Sequence, residues 1–119
     1  MTIRELIDEI KEIKPNMYSD QQLMRWISQL DGKIAQEVML QAPLEVRDKY
    51  NYKYPDDLER EPMVPFPHDD IYRYWLTTQI DYTDGEYLKY NGNLTMFEFA
   101  YNEFTNWFLN TYDPAQTGG

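Results

Sequence analysis

The chain has 119 residues, a hydrophobic share of 42%, an aromatic share of 16%, no cysteine and a formal net charge of −10. That length suits one domain with a thin core built largely from rings. The absence of cysteine excludes disulfides, cysteine-ligated zinc and thiol nucleophiles, and the charge opposes binding to a phosphate backbone.

The charge is uneven. Residues 1–67 carry thirteen acids and nine bases, whereas residues 68–119 carry eight acids and only Arg73 and Lys89. No apolar run reaches the roughly 18 residues that a bilayer span needs, so no membrane association is expected. The opening Met1-Thr2-Ile3-Arg4-Glu5 lacks the basic-then-apolar layout of a secretory signal, and the expected compartment is the cytoplasm of the host cell.

A first helix is expected from Ile3 to Ile13. Thr2 and Glu5 have capping-box spacing, and Ile3, Leu6, Ile7, Ile10 and Ile13 form one apolar stripe. Lys14-Pro15 stops it. A second box, Ser19 with Gln22, opens a helix whose stripe is Leu23, Trp26, Ile27, Leu30, Ile34 and Val38, and Pro43 marks its end. Gly32 inside that helix is either a close approach of another backbone or an unselected weak point.

Five of the seven prolines fall in residues 42–67: Pro43, Pro55, Pro62, Pro65 and Pro67. Tyr50, Tyr52 and Tyr54 alternate with Asn51 and Lys53, the period of a short strand with its tyrosines on one face. The expectation is an extended arm. A third helix starts after Pro67, with Asp69 and Asp70 in its first turn and Ile71, Trp75, Leu76, Ile80, Tyr87 and Leu88 at helical spacing. It either runs through Gly85 to about Tyr90 or breaks at Asp84-Gly85. Asn91-Gly92-Asn93 reads as a tight turn. Thr95 and Glu98 then cap a last helix bearing Phe97, Ala100, Tyr101, Phe104, Trp107, Phe108 and Thr111 on one face, with a stop at Asp113-Pro114.

The expected fold is mainly α. It is a small bundle of four to five helices with a long C-terminal antiparallel helical hairpin and a Pro/Tyr-rich extended arm between helices 2 and 3. A single domain spans 1–114, with the arm at about 42–67 and a flexible tail at 115–119.

Signals for catalysis are missing. His68 is the sole histidine, and it precedes Asp69 and Asp70, but neighbouring helical positions point about 100° apart and do not converge on one ion. Asp81, Asp84 and Glu86 resemble a fragment of a calcium loop that lacks its closing glutamate. Asp56, Asp57, Glu59 and Glu61 read as solvated charge. No catalytic residue, metal ligand or cofactor is expected, and no enzyme activity. The positive signal is tyrosine: eleven exceed what a core of this size needs, and tyrosine is enriched at protein interfaces.

Three stretches give the chain a family likeness: Pro15-Asn16-Met17-Tyr18-Ser19 with Trp26-Ile27-Ser28-Gln29-Leu30-Asp31-Gly32-Lys33-Ile34; Met63-Val64-Pro65-Phe66-Pro67 leading into Ile71-Tyr72-Arg73-Tyr74-Trp75-Leu76; and Gln79-Ile80-Asp81-Tyr82-Thr83-Asp84-Gly85-Glu86 with Tyr90-Asn91, then Phe97 and Tyr101 through Trp107. The chain resembles the head–tail connector (adaptor or head-completion) proteins of tailed bacteriophages and prophages. His68 stands where relatives often have tyrosine after the second proline. The resemblance implies a structural virion protein that forms a homo-oligomeric ring beneath the portal protein. The ring would extend the DNA channel and meet the next neck or tail protein, with DNA passing without specific binding. Assembly would take place in the bacterial host cytoplasm, and the final location would be the virion neck. Tyr50, Tyr52, Tyr54, Val64, Phe66, Tyr72, Tyr74 and Tyr90 are the expected partner-interface residues. Asp81, Asp84 and Glu86 are the expected channel-lining residues. The rival reading is an acidic DNA mimic that inhibits a nucleic-acid-binding enzyme, a role that Arg25, Lys33, Arg47, Lys49 and Lys53 interrupt.

Overall fold

The structure, a computed structural model, describes residues 1–112; the expected stop at Asp113-Pro114 and the tail at 115–119 lie outside the described residues. Five helices follow in order: α1 (Ile3–Ile13), α2 (Asp20–Glu37), α3 (Pro43–Tyr50), α4 (Asp70–Thr83) and α5 (Tyr87–Tyr112). Among the described residues there is no strand. The chain is a small, mainly helical bundle.

Local sequence accounts for the first two helices. Thr2 Oγ1 accepts the Glu5 N–H at 3.1 Å while a Glu5 carboxylate oxygen accepts the Thr2 N–H at 3.0 Å, the reciprocal box that the spacing demands. The next two amides, of Ile3 and Arg4, donate to the carbonyls of Arg60 and Leu58, each at 2.9 Å. A distant loop therefore satisfies first-turn donors that a helix leaves open. At α2, Ser19 Oγ accepts the Gln22 N–H at 3.1 Å.

The hub is α2, which packs on α1, α3 and α4. Its Leu23, Ile27, Leu30 and Ile34 join Leu6, Ile7 and Ile10 of α1 and Ile71, Leu76 and Ile80 of α4 in one buried cluster. The indole N–H of Trp75 donates to the Trp26 carbonyl at 2.7 Å and pins α4 across α2. Gly32 does not admit another backbone; a Cβ there would stand 3.5 Å from a Val46 methyl group, an ordinary contact with α3.

Residues 42–67 do not form an extended arm. Pro43 opens α3, where a missing N–H and a fixed φ are no handicap. Tyr50, Tyr52 and Tyr54 do not share a strand face: Tyr50 ends α3, Tyr52 is buried and Tyr54 is exposed. The connection then folds back, placing Leu58 and Val64 in the core. Burial of these apolar side chains outweighs the extended preference that the prolines suggest.

The chain reverses at Asp84-Gly85-Glu86, and the expected turn at Asn91-Gly92-Asn93 does not form. Gly85 takes φ 77°, a left-handed conformation that glycine adopts without a steric penalty. Asn91, Gly92 and Asn93 lie within α5, and the Asn93 side chain donates to Asp81 at 2.6 Å. Thr95 is consequently mid-helix, not a cap, and its hydroxyl donates back to the Asn91 carbonyl at 3.1 Å. Asp81 meets Asn93, Trp75 meets Phe97, and His68 meets Phe104 and Trp107, so α4 and α5 run in opposite directions.

Candidate docking surfaces

One buried carboxylate organises the middle of the molecule. Asp31 of α2 is fully enclosed. It accepts hydrogen bonds from the hydroxyls of Tyr52 and Tyr72 and from the Met63 N–H at 3.1 Å. The Tyr72 hydroxyl in turn accepts the Val64 N–H at 2.8 Å. Burial raises the Asp31 carboxyl to about 6, even though the two tyrosines and the Met63 amide pull it down. Burial, then the neighbouring Asp31 charge, pushes both tyrosine hydroxyls up. The network ties α2, α4 and the 51–64 connection together, and it holds Tyr52 at the floor of a groove.

That groove lies between α2 and α3 and encloses about 660 Å³. Arg25 contributes from α2 and Arg47 from α3, with Tyr50 and Tyr54 at the side and Gln21, Gln29 and Asn51 among the remaining lining. Among the described residues no aspartate or glutamate lines it, although the chain has 21 acids. Among the described residues Arg25 forms no ion pair, and Arg47 reaches only its exposed sequence neighbour Asp48, at 3.3 Å.

The second surface is the outer side of α5. Among the described residues this helix packs against α4 and no other helix, with a hydrogen bond from the Tyr101 hydroxyl to Glu37 at 3.1 Å reaching α2. Its inner side carries Phe97, Tyr101, Phe104 and Trp107. Leu88, Thr95, Phe99, Asn102 and Asn106 recur at three-, four- and seven-residue steps on the exposed side. Leu88 is 91% and Phe99 61% exposed, with Met96 and Leu109 flanking them. Only Lys89, Glu98 and Glu103 are charged in the 26 residues of α5.

Several expected interface residues are internal. Tyr52, Val64 and Tyr72 are buried, and the hydroxyls of the first and last are taken up by Asp31. Tyr50 is half-buried beside the groove, and Tyr74 is half-buried with the Arg73 guanidinium 5.7 Å from its ring centre. Tyr90 is half-buried against Tyr82, at 5.3 Å between ring centres. Tyr54 and Phe66 are exposed, Phe66 at 84%.

The acidic trio also separates. Asp81 is fully buried, paired with Lys14 from the end of α1 and with Asn93, so it cannot line a channel. Asp84 and Glu86 are exposed at the turn; Asp84 accepts from the Tyr18 hydroxyl and Glu86 pairs with Lys89 at 2.7 Å. His68 lies against Trp107 at 4.9 Å, and no group of three metal-binding side chains occurs among the described residues. Among them, too, no helix is long and apolar enough to cross a membrane.

The sequence carried two overlooked signals. Asp31 follows Leu30 on the buried stripe of α2, where an unpaired acid would be costly. The scarcity of charge from 87 to 112 was visible in composition alone. Comparison with known proteins finds no matching family, no matching curated protein and no matching solved structure.

Proposed function

We propose that this chain is a structural, non-catalytic subunit of a bacteriophage neck, a head–tail connector that assembles as a ring with copies of itself under the portal protein. The observation that carries the reading is the outward face of α5. Copies of a chain with net charge −10 repel one another. A face with Leu88, Met96, Phe99 and Leu109, where Glu98 and Glu103 are the only acids of α5, is where they can meet with few opposing charges. Large apolar side chains amid a mostly uncharged polar surround suit the centre of an interface. Exposed Phe66 and Tyr54 are what the 42–67 connection leaves for a neighbouring subunit. The exposed acids Asp84 and Glu86 suit a channel rim that lets DNA slide past.

The DNA-mimic reading has less support. Acids of α1, α2 and the 56–61 stretch are interleaved with paired bases, as in Arg4–Glu59, Lys11–Asp20 and Arg60–Asp57, which breaks a phosphate-like array.

The test is assembly with a candidate phage portal protein, read by sedimentation velocity and negative-stain microscopy. Wild type should co-sediment as a ring on the portal. Phe99→Glu and Leu88→Glu, at exposed sites, should keep the helical circular dichroism and lose association by tenfold or more, about 1.4 kcal/mol or above. Failure of wild type to associate, or unaltered association of both variants, would overturn the proposal.

A further inference from the structure

The groove between α2 and α3 is a second surface, independent of α5 and of the connector reading. We propose that it is a docking site for an extended acidic segment of a partner polypeptide.

The electrostatic pattern is local and opposite to that of the whole chain. With a net charge of −10, a randomly placed cleft would include acids, yet among the described residues this lining has two arginines and no aspartate or glutamate. At physiological salt the Debye length is about 8 Å, so nearby groups dominate what a ligand in the groove senses, chiefly Arg25, since Arg47 is partly offset by Asp48 at 3.3 Å. Arg25 is exposed and without an ion-pair partner among the described residues. Its guanidinium is therefore free to take a carboxylate in the two-pronged geometry that makes such pairs strong.

The neutral part of the lining selects the ligand class. Gln21, Gln29 and Asn51 offer amide donors and acceptors that match peptide N–H and C=O groups, and Tyr54 offers an exposed ring edged by a hydroxyl. A volume of about 660 Å³ exceeds what one small anion fills and lies within the roughly 300–1,000 Å³ typical of ligand clefts. Single-stranded nucleic acid fits less well. It brings a charge with every nucleotide against only two arginines, in a chain whose remaining field repels polyanions.

The groove is also built to persist without a ligand. Val46 is the sole buried residue of α3 and packs toward Gly32. The floor residue Tyr52 is held by Asp31, and its N–H donates to Ser28 Oγ at 3.0 Å. The two walls are thus fixed at one end by packing and at the base by hydrogen bonds, and the arginines remain outside both.

The experiment uses the full chain and fluorescein-labelled octapeptides of alternating Glu and Ala, or Gln and Ala, in anisotropy titrations at low salt, beside a labelled octathymidylate. The Glu peptide should bind about tenfold tighter than the Gln peptide, and Arg25→Gln and Arg47→Gln should each weaken it about tenfold. Binding should decline as salt is raised. Both arginines are exposed, so unchanged circular dichroism is expected and serves as the folding control. Equal affinity for the Glu and Gln peptides, indifference to both substitutions, or tighter binding of the octathymidylate would overturn the proposal. Portal association is read in a separate assay, so either proposal can fail while the other stands.

Discussion

Replacing Tyr72 by phenylalanine removes a single oxygen from the interior, and its consequences follow from the Asp31 network. That oxygen donates to the Asp31 carboxylate and accepts the Val64 N–H at 2.8 Å. Loss of a hydrogen bond to a charged group costs about 1.5–3 kcal/mol, and a stranded buried N–H about 1–3 kcal/mol. Because the two losses share one site, about 3 kcal/mol is expected in total. With an unfolding entropy near 2.1 cal/mol/K per residue, that lowers Tm by about 12 °C. The pH dependence supplies a sharper check. The folded Asp31 carboxyl titrates at about 6, above its ordinary 3.8. Its contribution to stability is therefore complete below pH 3.8 and lost as pH rises through 6. Tyr72 is among the groups that restrain this rise, so the variant pushes the carboxyl higher still. Its deficit relative to wild type should be larger at pH 7 than at pH 4. Urea titrations followed by circular dichroism at both pH values measure it. A deficit below about 1 kcal/mol, or an equal one at the two pH values, would refute the argument.

Three further substitutions probe the frame. Lys14→Ala strands the buried Asp81 carboxylate and should cost about 3 kcal/mol in urea unfolding, as broken buried pairs do. Gly92→Ala meets no atom within 4 Å and should stabilise the chain by about 1 kcal/mol, because position 92 is helical; destabilisation would mean that the turn at 91–93 forms after all. Gly85→Ala has equal space but sits at φ 77°, so it should lower stability by about 1–2 kcal/mol, visible as a fall in Tm.

The amino-acid sequence by itself determined the helices whose information is local. Thr2 with Glu5, and Ser19 with Gln22, set two starting points through hydrogen bonds three residues apart. The three- and four-residue stripes identified most of the buried sides of α1, α2 and α4, but Ile13 at the end of α1 is exposed, and Tyr87 and Leu88 belong to α5 and face outward. Pro43 shows the limit of local reading: one residue type signals the end of one helix and the first position of the next, and only the docking of Val46 on α2 selects the second meaning. Asn91-Gly92-Asn93 has the propensity of a turn, yet reversal at Gly85 and the grip of Asp81 on Asn93 keep it helical. The fate of the tyrosines was decided by tertiary structure alone. Tyr52 and Tyr72 went inward because a carboxylate 21 and 41 residues away needed donors. Burial and charge pairing depend on which distant groups share a space, and no periodicity along the chain encodes that.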